Sequence, residues 1–360
     1  MKKIQKLFLT PAILLFIAFA SGCNSEIHFS PQKEYSLVCW NLQTFFDGNI
    51  DGCEYTEFKK SDNWDEGKYR VRLQRLCDSI KKLNADIFVL EEIENEKIIL
   101  DISNMLCGTS WKNSERWNYA CFTKENGSSI GCAVLSRIPI KEVNTHSLDI
   151  RTQKEAQPSM RPVTCVNFSA GKKDFCVIVN HWKSKSGGAE KSEIWRDWQE
   201  ALCERIIPND TEFPALICGD FNRDAKEFIH FFEENQNENI KSANTIFRGF
   251  CEVPKEDFSD SESSEDFSIL PYFLPEEKIL YSPWYNDDGE FSTATGSYYY
   301  KENWERIDHI FTNAQIKILT FSPCAEAPWL NEYGEPDSYK IYNGRGYSDH
   351  LPLKCTFQIL

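Results

Sequence analysis

The chain of 360 residues holds 14 cysteines but no CxxC pair. A zinc site built on thiolates normally needs that spacing, so cysteine-held zinc is not expected. There is no GKS or GKT triplet behind a glycine-rich loop, which excludes the phosphate-cradling loop of nucleotide hydrolases. No serine or cysteine stands in the glycine-flanked setting of an activated nucleophile. Positive charge is scarce: 40 Lys and Arg face 55 Asp and Glu, a formal charge of −15. A sequence-independent DNA clamp draws its affinity from Lys and Arg against phosphate, so this chain does not read as one. It could still meet phosphate through bound cations. There is no internal repeat and no linker dividing two cores.

The N-terminus carries an address. MKKIQK is basic, residues 7–20 (LFLTPAILLFIAFA) are apolar, and Ala20-Ser21-Gly22-Cys23 follows. The apolar run falls short of the roughly 20 residues of a spanning helix. A charged start, a short apolar run and a small-residue site read as a secretory signal. Small residues directly before Cys23 resemble the bacterial lipobox, which implies cleavage at that point and lipid on the Cys23 sulfur. The expected organisation is a leader over 1–22, a tether over 23–34 and a folded domain over 35–360. Loss of Lys2, Lys3 and Lys6 with the leader takes the formal charge to −18. Cys39, Cys132, Cys165, Cys176, Cys218 and Cys355 lie in apolar or alternating runs, where cysteine serves as a small hydrophobe. Export is oxidising, which leaves room for a bridge, but no pairing follows from the sequence.

Short strands alternate with helical patterns. SLVCWNL (36–42), 86–90, GCAVLSRIPI, RPVTCVNFSA, DFCVIVNHW, ALICGD, IDHIFT (307–312) and HLPLKCTFQIL read as strands. Residues 66–84 place Tyr69, Leu73, Leu76, Cys77, Ile80 and Leu83 at helical spacing. Helices are also expected over 96–106, 189–207 and 224–235. Residues 236–303 are polar and acidic, with the run DFSDSESSEDF, and read as a surface excursion. Residues 322–346 read as a second irregular insertion. Such a mixture suggests layered α/β or α+β with one core.

Reactive side chains gather at the strand ends. Asn41 closes one strand, Glu91-Glu92 the next, and His181 a third. Asp220 and Asn222 follow ALIC, Asp308 opens IDHIF, and Asp349-His350 precede the last strand. Alternation along a strand would put Asp220 and Asn222 on one face. Carboxylate and amide oxygens are hard ligands, suited to Mg²⁺ or Mn²⁺, with Ca²⁺ a further option. With no side-chain nucleophile, water is the expected attacker, and phosphate is the group that most needs a cation and a base.

WNLQTFF, DIFVLEEIEN, GCAVLSRIPI, NHWKSKSGG, GDFN, RIDHIF and YSDHLP, in this order, resemble the endonuclease/exonuclease/phosphatase superfamily. The resemblance runs over about 35–360, outside the two insertions. It implies a four-layer sandwich, two packed mixed β-sheets flanked by helices. It also implies roles. Asn41, Glu92 and Asp349 would hold the metal. Asp220 and Asn222 would face the attacking water and the phosphate. His350 would be the general acid or base, His181 a second histidine on the phosphate, and Asp308 the orienter of a histidine. Arg161 resembles a family arginine near the substrate phosphate. Glu91 stands where the family often has glutamine. His309 alternates to the far face and reads as structural, and Tyr298-Tyr299-Tyr300 and Trp304 read as core or rim.

NHWKSKSGG and SYYYKENWERIDHIF look most like secreted bacterial nucleases of the deoxyribonuclease type. The expected function is an exported, lipid-anchored, metal-dependent nuclease taking DNA or RNA and working as a monomer. A phospholipid or sphingomyelin phosphodiesterase, or an inositol phosphate phosphatase, would share the chemistry. No apolar hairpin for membrane entry is evident, which disfavours the lipid substrate. A non-catalytic binding lipoprotein would be expected to carry a damaged site, and here every key position holds a competent residue.

Overall fold

The computed structural model describes residues 32–60, 64–107, 116–150, 156–171, 173–208, 213–232, 243–247, 278–286 and 288–360. The leader, Cys23, most of the tether and the run DFSDSESSEDF lie outside these residues. Sixteen strands and three α-helices are present among the described residues. The first sheet holds β1 (Glu34–Phe45), β2 (Ile87–Ile93), β3 (Tyr119–Thr123), β4 (Gly131–Ser136), β15 (Ile316–Pro323) and β16 (Leu353–Ile359), in the order β15-β16-β1-β2-β4-β3. The second holds β5 (Ile140–His146), β6 (Val163–Ser169), β7 (Asp174–His181), β8 (Ala215–Asp220), β9 (Ile229–Phe232), β10 (Ala243–Phe247), β11 (Lys278–Tyr281) and β14 (Asp308–Thr312). Their order is β5-β6-β7-β8-β14-β11-β10-β9. The hairpin β12 (Tyr298–Tyr300) and β13 (Asn303–Glu305) stands apart.

The layers follow from side-chain alternation. On β1, Leu37 and Cys39 enter the core between the sheets, while Val38 and Trp40 turn to the outer core with α1 (Glu66–Leu83) and α2 (Glu96–Cys107). On β7, Phe175, Val177 and Val179 face the inter-sheet core. Cys176 and Ile178 face a third cluster that includes Cys203 of α3 (Ala189–Ile206). β16 contributes Leu353, Cys355, Phe357 and Ile359 to the inter-sheet core at every second position. The result is the expected four-layer sandwich. The twelve cysteines among the described residues are free thiols, and Cys39, Cys132, Cys218 and Cys355 pack as small hydrophobes between the sheets.

α1 begins where the Asp65 side chain accepts the Lys68 N–H at 2.8 Å, and ends at Asn84, whose left-handed φ of 49° stops the helix. Two local expectations differ. Residues 224–235 form a short 3₁₀ turn over Ala225–Glu227 and then β9, because Asp224 closes a capping box at once and the following apolar residues join the sheet edge. Residues 236–303 contain β10, β11 and the β12–β13 hairpin, all paired. Pairing there is made by backbone groups and asks little of the side chains, so composition did not signal these strands. The irregular segment 322–346 is packed down by buried Trp329 and Tyr339. Among the described residues, no helix is long and apolar enough to cross a membrane.

Candidate active site

Each sheet contains one parallel pair, β1 with β2 and β7 with β8. Parallel neighbours end on the same side, so their C-terminal residues are delivered together. β1 and β2 deliver Asn41 and Glu92, and β7 and β8 deliver His181 and Asp220, which are register partners. Antiparallel β14 begins at Asp308, directly opposite Asp220. His350, ahead of β16, completes the set from the first sheet's side.

Asn41 joins the two sheets. Its Nδ2 donates to Glu92 Oε1 at 3.2 Å and to Asp220 Oδ2 at 3.0 Å, while its Oδ1 accepts the Gln43 N–H at 2.9 Å. Glu92 follows a register shift in the β2–β4 pairing, has a left-handed φ of 61°, and accepts the Thr44 N–H on Oε2 at 2.5 Å. Gln43 and Thr44 are left-handed as well, and buried Arg72 gathers the carbonyls of Leu42, Gln43 and Thr44 at 2.7–2.9 Å. Backbone held out of its favoured basins by converging side chains is typical of functional sites.

His350 Nδ1 pairs with Asp308 Oδ2 at 2.8 Å. Burial alone would lower the imidazole's pKa. The charges of Asp308, Asp349 and Asp220 and the bond to Asp308 outweigh it and hold His350 well above its ordinary value. The Trp40 indole donates to the His350 carbonyl at 2.9 Å, and Ser348 Oγ accepts the His350 N–H at 3.1 Å while donating to the Asn41 carbonyl at 2.6 Å. The Tyr298 ring lies 4.7 Å from the His350 ring, centroid to centroid.

Asp220 is buried, and burial together with the Asp308 charge pushes its carboxyl up to about 7. Asp220, Asp308 and His350 each present a ligand atom within 4.8 Å of the others. His181 Nε2 sits 3.6 Å from Glu92 Oε1 and 3.8 Å from Asp220 Oδ2. Burial, then the charges of Arg161 and His350, lowers the His181 pKa well below the ordinary value. Asp349 is raised, chiefly by burial. Glu91 points the other way, between the sheets. It is held well above the carboxylate range by burial and by Asp308 and Asp220, and Cys39 Sγ donates to its Oε1 at 3.1 Å.

The structure brings Asn41, Glu92, His181, Asp220, Asp308 and His350 together directly, and Asp349 lies within their electrostatic reach. Asn222 arrives by another route than strand alternation. The strand ends at Asp220, Asn222 takes a left-handed φ of 48°, and its amide donates to the Trp182 carbonyl at 3.3 Å. Arg161 donates to that same carbonyl at 2.9 Å, which sets it beside His181. His309 faces away, with Nε2 2.9 Å from the Arg223 carbonyl and its ring among Phe221, Phe228 and Phe311. Lys185 pairs with Glu227. Sequence reasoning missed Trp40, Arg72, Ser348 and Tyr298. Trp40, Tyr298 and Ser348 stand inside the motifs WNLQTFF, SYYYKENWERIDHIF and YSDHLP, which gave them no role, and Arg72 carried no signal.

A metal fits this set. Glu92, Asp349, Asp220 and Asp308 bring hard carboxylate oxygens and negative charge to one place, and Asp308 Oδ1 is buried with no hydrogen-bond partner.

Two β-α-β crossovers, β1-α1-β2 and β7-α3-β8, thus bring carboxylates and histidines to facing strand ends. Residues 36–253 match the family model described as endonuclease/exonuclease/phosphatase family, and the chain belongs to that family, whose members are phosphoester hydrolases. No curated protein matches the sequence. Among solved structures, the chain is similar to truncated TDP2 from Caenorhabditis elegans at 14% identity and a TM-score of 0.50, covering 90% of this chain and 98% of that one. It is similar to the human Nocturnin catalytic domain with bound sulfate anion at 15% identity and a TM-score of 0.50, covering 91% and 95%. It is likewise similar to an endonuclease/exonuclease/phosphatase family protein from Bacteroides thetaiotaomicron at 13% identity and a TM-score of 0.51, covering 91% and 99%. At these identities the likeness is one of fold.

Proposed function

We propose that the protein is an exported, lipid-anchored phosphodiesterase that works with a divalent cation, Mg²⁺ or Mn²⁺, and that its substrate is DNA or RNA. The observation that carries this reading is the bridge across the sheets. Asn41 ties Glu92 to Asp220, and Asp220 in turn faces the Asp308–His350 pair. Glu92 and Asp349, with Asn41 beside them, would hold the cation, which would neutralise the nonbridging phosphate oxygens.

The chain's own residues divide the proton work. Asp220, with its carboxyl near 7, is poised to accept a proton from water at neutral pH. His350 is kept protonated by Asp308, and with Nδ1 engaged its Nε2 is the nitrogen left to meet the phosphate or its leaving oxygen. His181, its pKa lowered by burial, lies against Glu92 and Asp220 as a hydrogen-bonding group on the phosphate side. Arg161 stands beside it as a cationic phosphate contact.

The test is a substrate panel of plasmid DNA, RNA, sphingomyelin and a soluble inositol phosphate, with Mg²⁺, Mn²⁺ or chelator. The wild type is run beside His350→Ala. The expected result is cation-dependent loss of nucleic acid that falls about 10²–10⁴-fold in the variant at unchanged circular dichroism. Intact nucleic acid with turnover of a lipid or inositol substrate would replace the substrate and keep the chemistry. No turnover by a folded wild-type protein would overturn the enzyme reading.

A further inference from the structure

A second acidic cluster lies in the loop after β1. Residues 47–54 read DGNIDGCE. Side-chain oxygens at Asp47, Asn49 and Asp51, followed by Gly52, follow the spacing of positions 1, 3, 5 and 6 of a calcium-binding loop. The glutamate that such a loop places at position 12 is absent here, where Phe58 stands. Two other glutamates take up the space. Asp51, Glu54 and Glu94, the last just beyond β2, each present a carboxylate oxygen within 4.8 Å of the others. Glu54 is buried inside the loop, with its two oxygens accepting the N–H groups of Asp51 at 2.6 Å and Gly52 at 2.9 Å.

The decisive group is Glu94. Its side chain belongs to a residue only 1% exposed. Oε2 accepts the Asp47 N–H at 2.6 Å, but Oε1 is buried with no hydrogen-bond partner. A buried carboxylate oxygen left bare is costly, and a cation is the partner that such crowding calls for. Local lysines do not supply it. Lys97 lies 3.4 Å from Asp47 and shares its charge with Asp101, and Lys124 donates to the Glu94 backbone carbonyl, not its carboxylate. All the donors are hard oxygens, two on an irregular loop and one just beyond β2, a setting that suits Ca²⁺ better than the strictly octahedral Mg²⁺.

We infer that Asp51, Glu54 and Glu94 form a Ca²⁺ site separate from the catalytic cleft. The site is tied to the cleft through one bend of the chain. Thr44 N–H is held by Glu92 and, three residues on, Asp47 N–H is held by Glu94. An ion on Glu94 steadies the bend that positions Glu92.

The test uses the full chain in detergent, with the Glu92→Gln substitution to suppress cation binding in the cleft. Titration calorimetry with CaCl₂ should show one Ca²⁺ per chain, and Ca²⁺ should raise Tm. Adding Asp51→Asn and Glu54→Gln should weaken that binding by about tenfold or more, since affinity follows ligand charge. These amides keep the shapes of the acids, and circular dichroism without Ca²⁺ checks the fold. If the triple variant fails to fold, exposed Asp51→Asn on the Glu92→Gln background must show the weakening alone. Absence of Ca²⁺ binding by the Glu92→Gln protein, or equal binding by a folded loop variant, would overturn the site.

Discussion

His350 and Asp308 show how little a single residue decides alone. Both histidines are buried, which lowers an imidazole's pKa; at His181 burial and the charges of Arg161 and His350 prevail, whereas at His350 Asp308 Oδ2, 2.8 Å from Nδ1, turns the balance upward. The two histidines of the cleft are therefore pushed in opposite directions by their surroundings, the arrangement that acid and base roles require. Asp308→Asn removes the charge that raises His350. The protonated form is the working acid, so its loss limits activity on the alkaline side. The variant's alkaline limb should move toward lower pH, and its maximum rate should fall about 100-fold or more. A pH–rate profile of the variant beside wild type checks this, and an unmoved limb would remove Asp308 from that role.

At the scale of elements, the site depends on how closely β7 and β8 approach. Gly219, one residue before Asp220, has φ of 140°, and a Cβ there would lie 1.8 Å from the Asn180 carbonyl oxygen. Only glycine allows the two strand ends to meet, and that contact sets His181 opposite Asp220. Gly219→Ala should cost about 3 kcal/mol or more from strain and overpacking. Urea unfolding measures the loss, and the surviving folded protein should turn over more slowly. A stability equal to wild type would mean the strands can part without penalty. The same scale explains Arg72. Its three bonds to the carbonyls of residues 42–44 hold the left-handed turn beneath Glu92, a task invisible in a helix that reads simply as amphipathic.

For the whole molecule, charge sets the expected manner of substrate binding. With a formal charge of −15, a nucleic acid must be met by a few local cations such as Arg161 and Lys183, which lie within electrostatic reach of each other. The log–log salt dependence of kcat/KM on DNA should therefore be shallow. Its slope should be about −2 to −3, from roughly 0.9 per phosphate contact on duplex DNA. A slope near zero would argue for an uncharged or compact substrate, and a slope near −6 for a basic surface that composition hides. Much of this was legible in the chain. Strand alternation and helical spacing are local, so β1, β2, β7, β8 and α1 could be read directly. The motifs at their ends named Asn41, Glu92, His181, Asp220, Asp308 and His350. The strands within 236–303 were not legible, because backbone pairing asks little of side chains. Nor was the route of Asn222, since alternation ends where the strand does. The sequence by itself determined the types of chemistry and the elements that bear them. Only the tertiary structure decided which charges face one another, and so the proton on His350, the raised carboxyl of Asp220 and the bare oxygen of Glu94. The site is assembled by contacts between residues up to 310 positions apart, as from Trp40 to His350, and no local pattern encodes a distance of that kind.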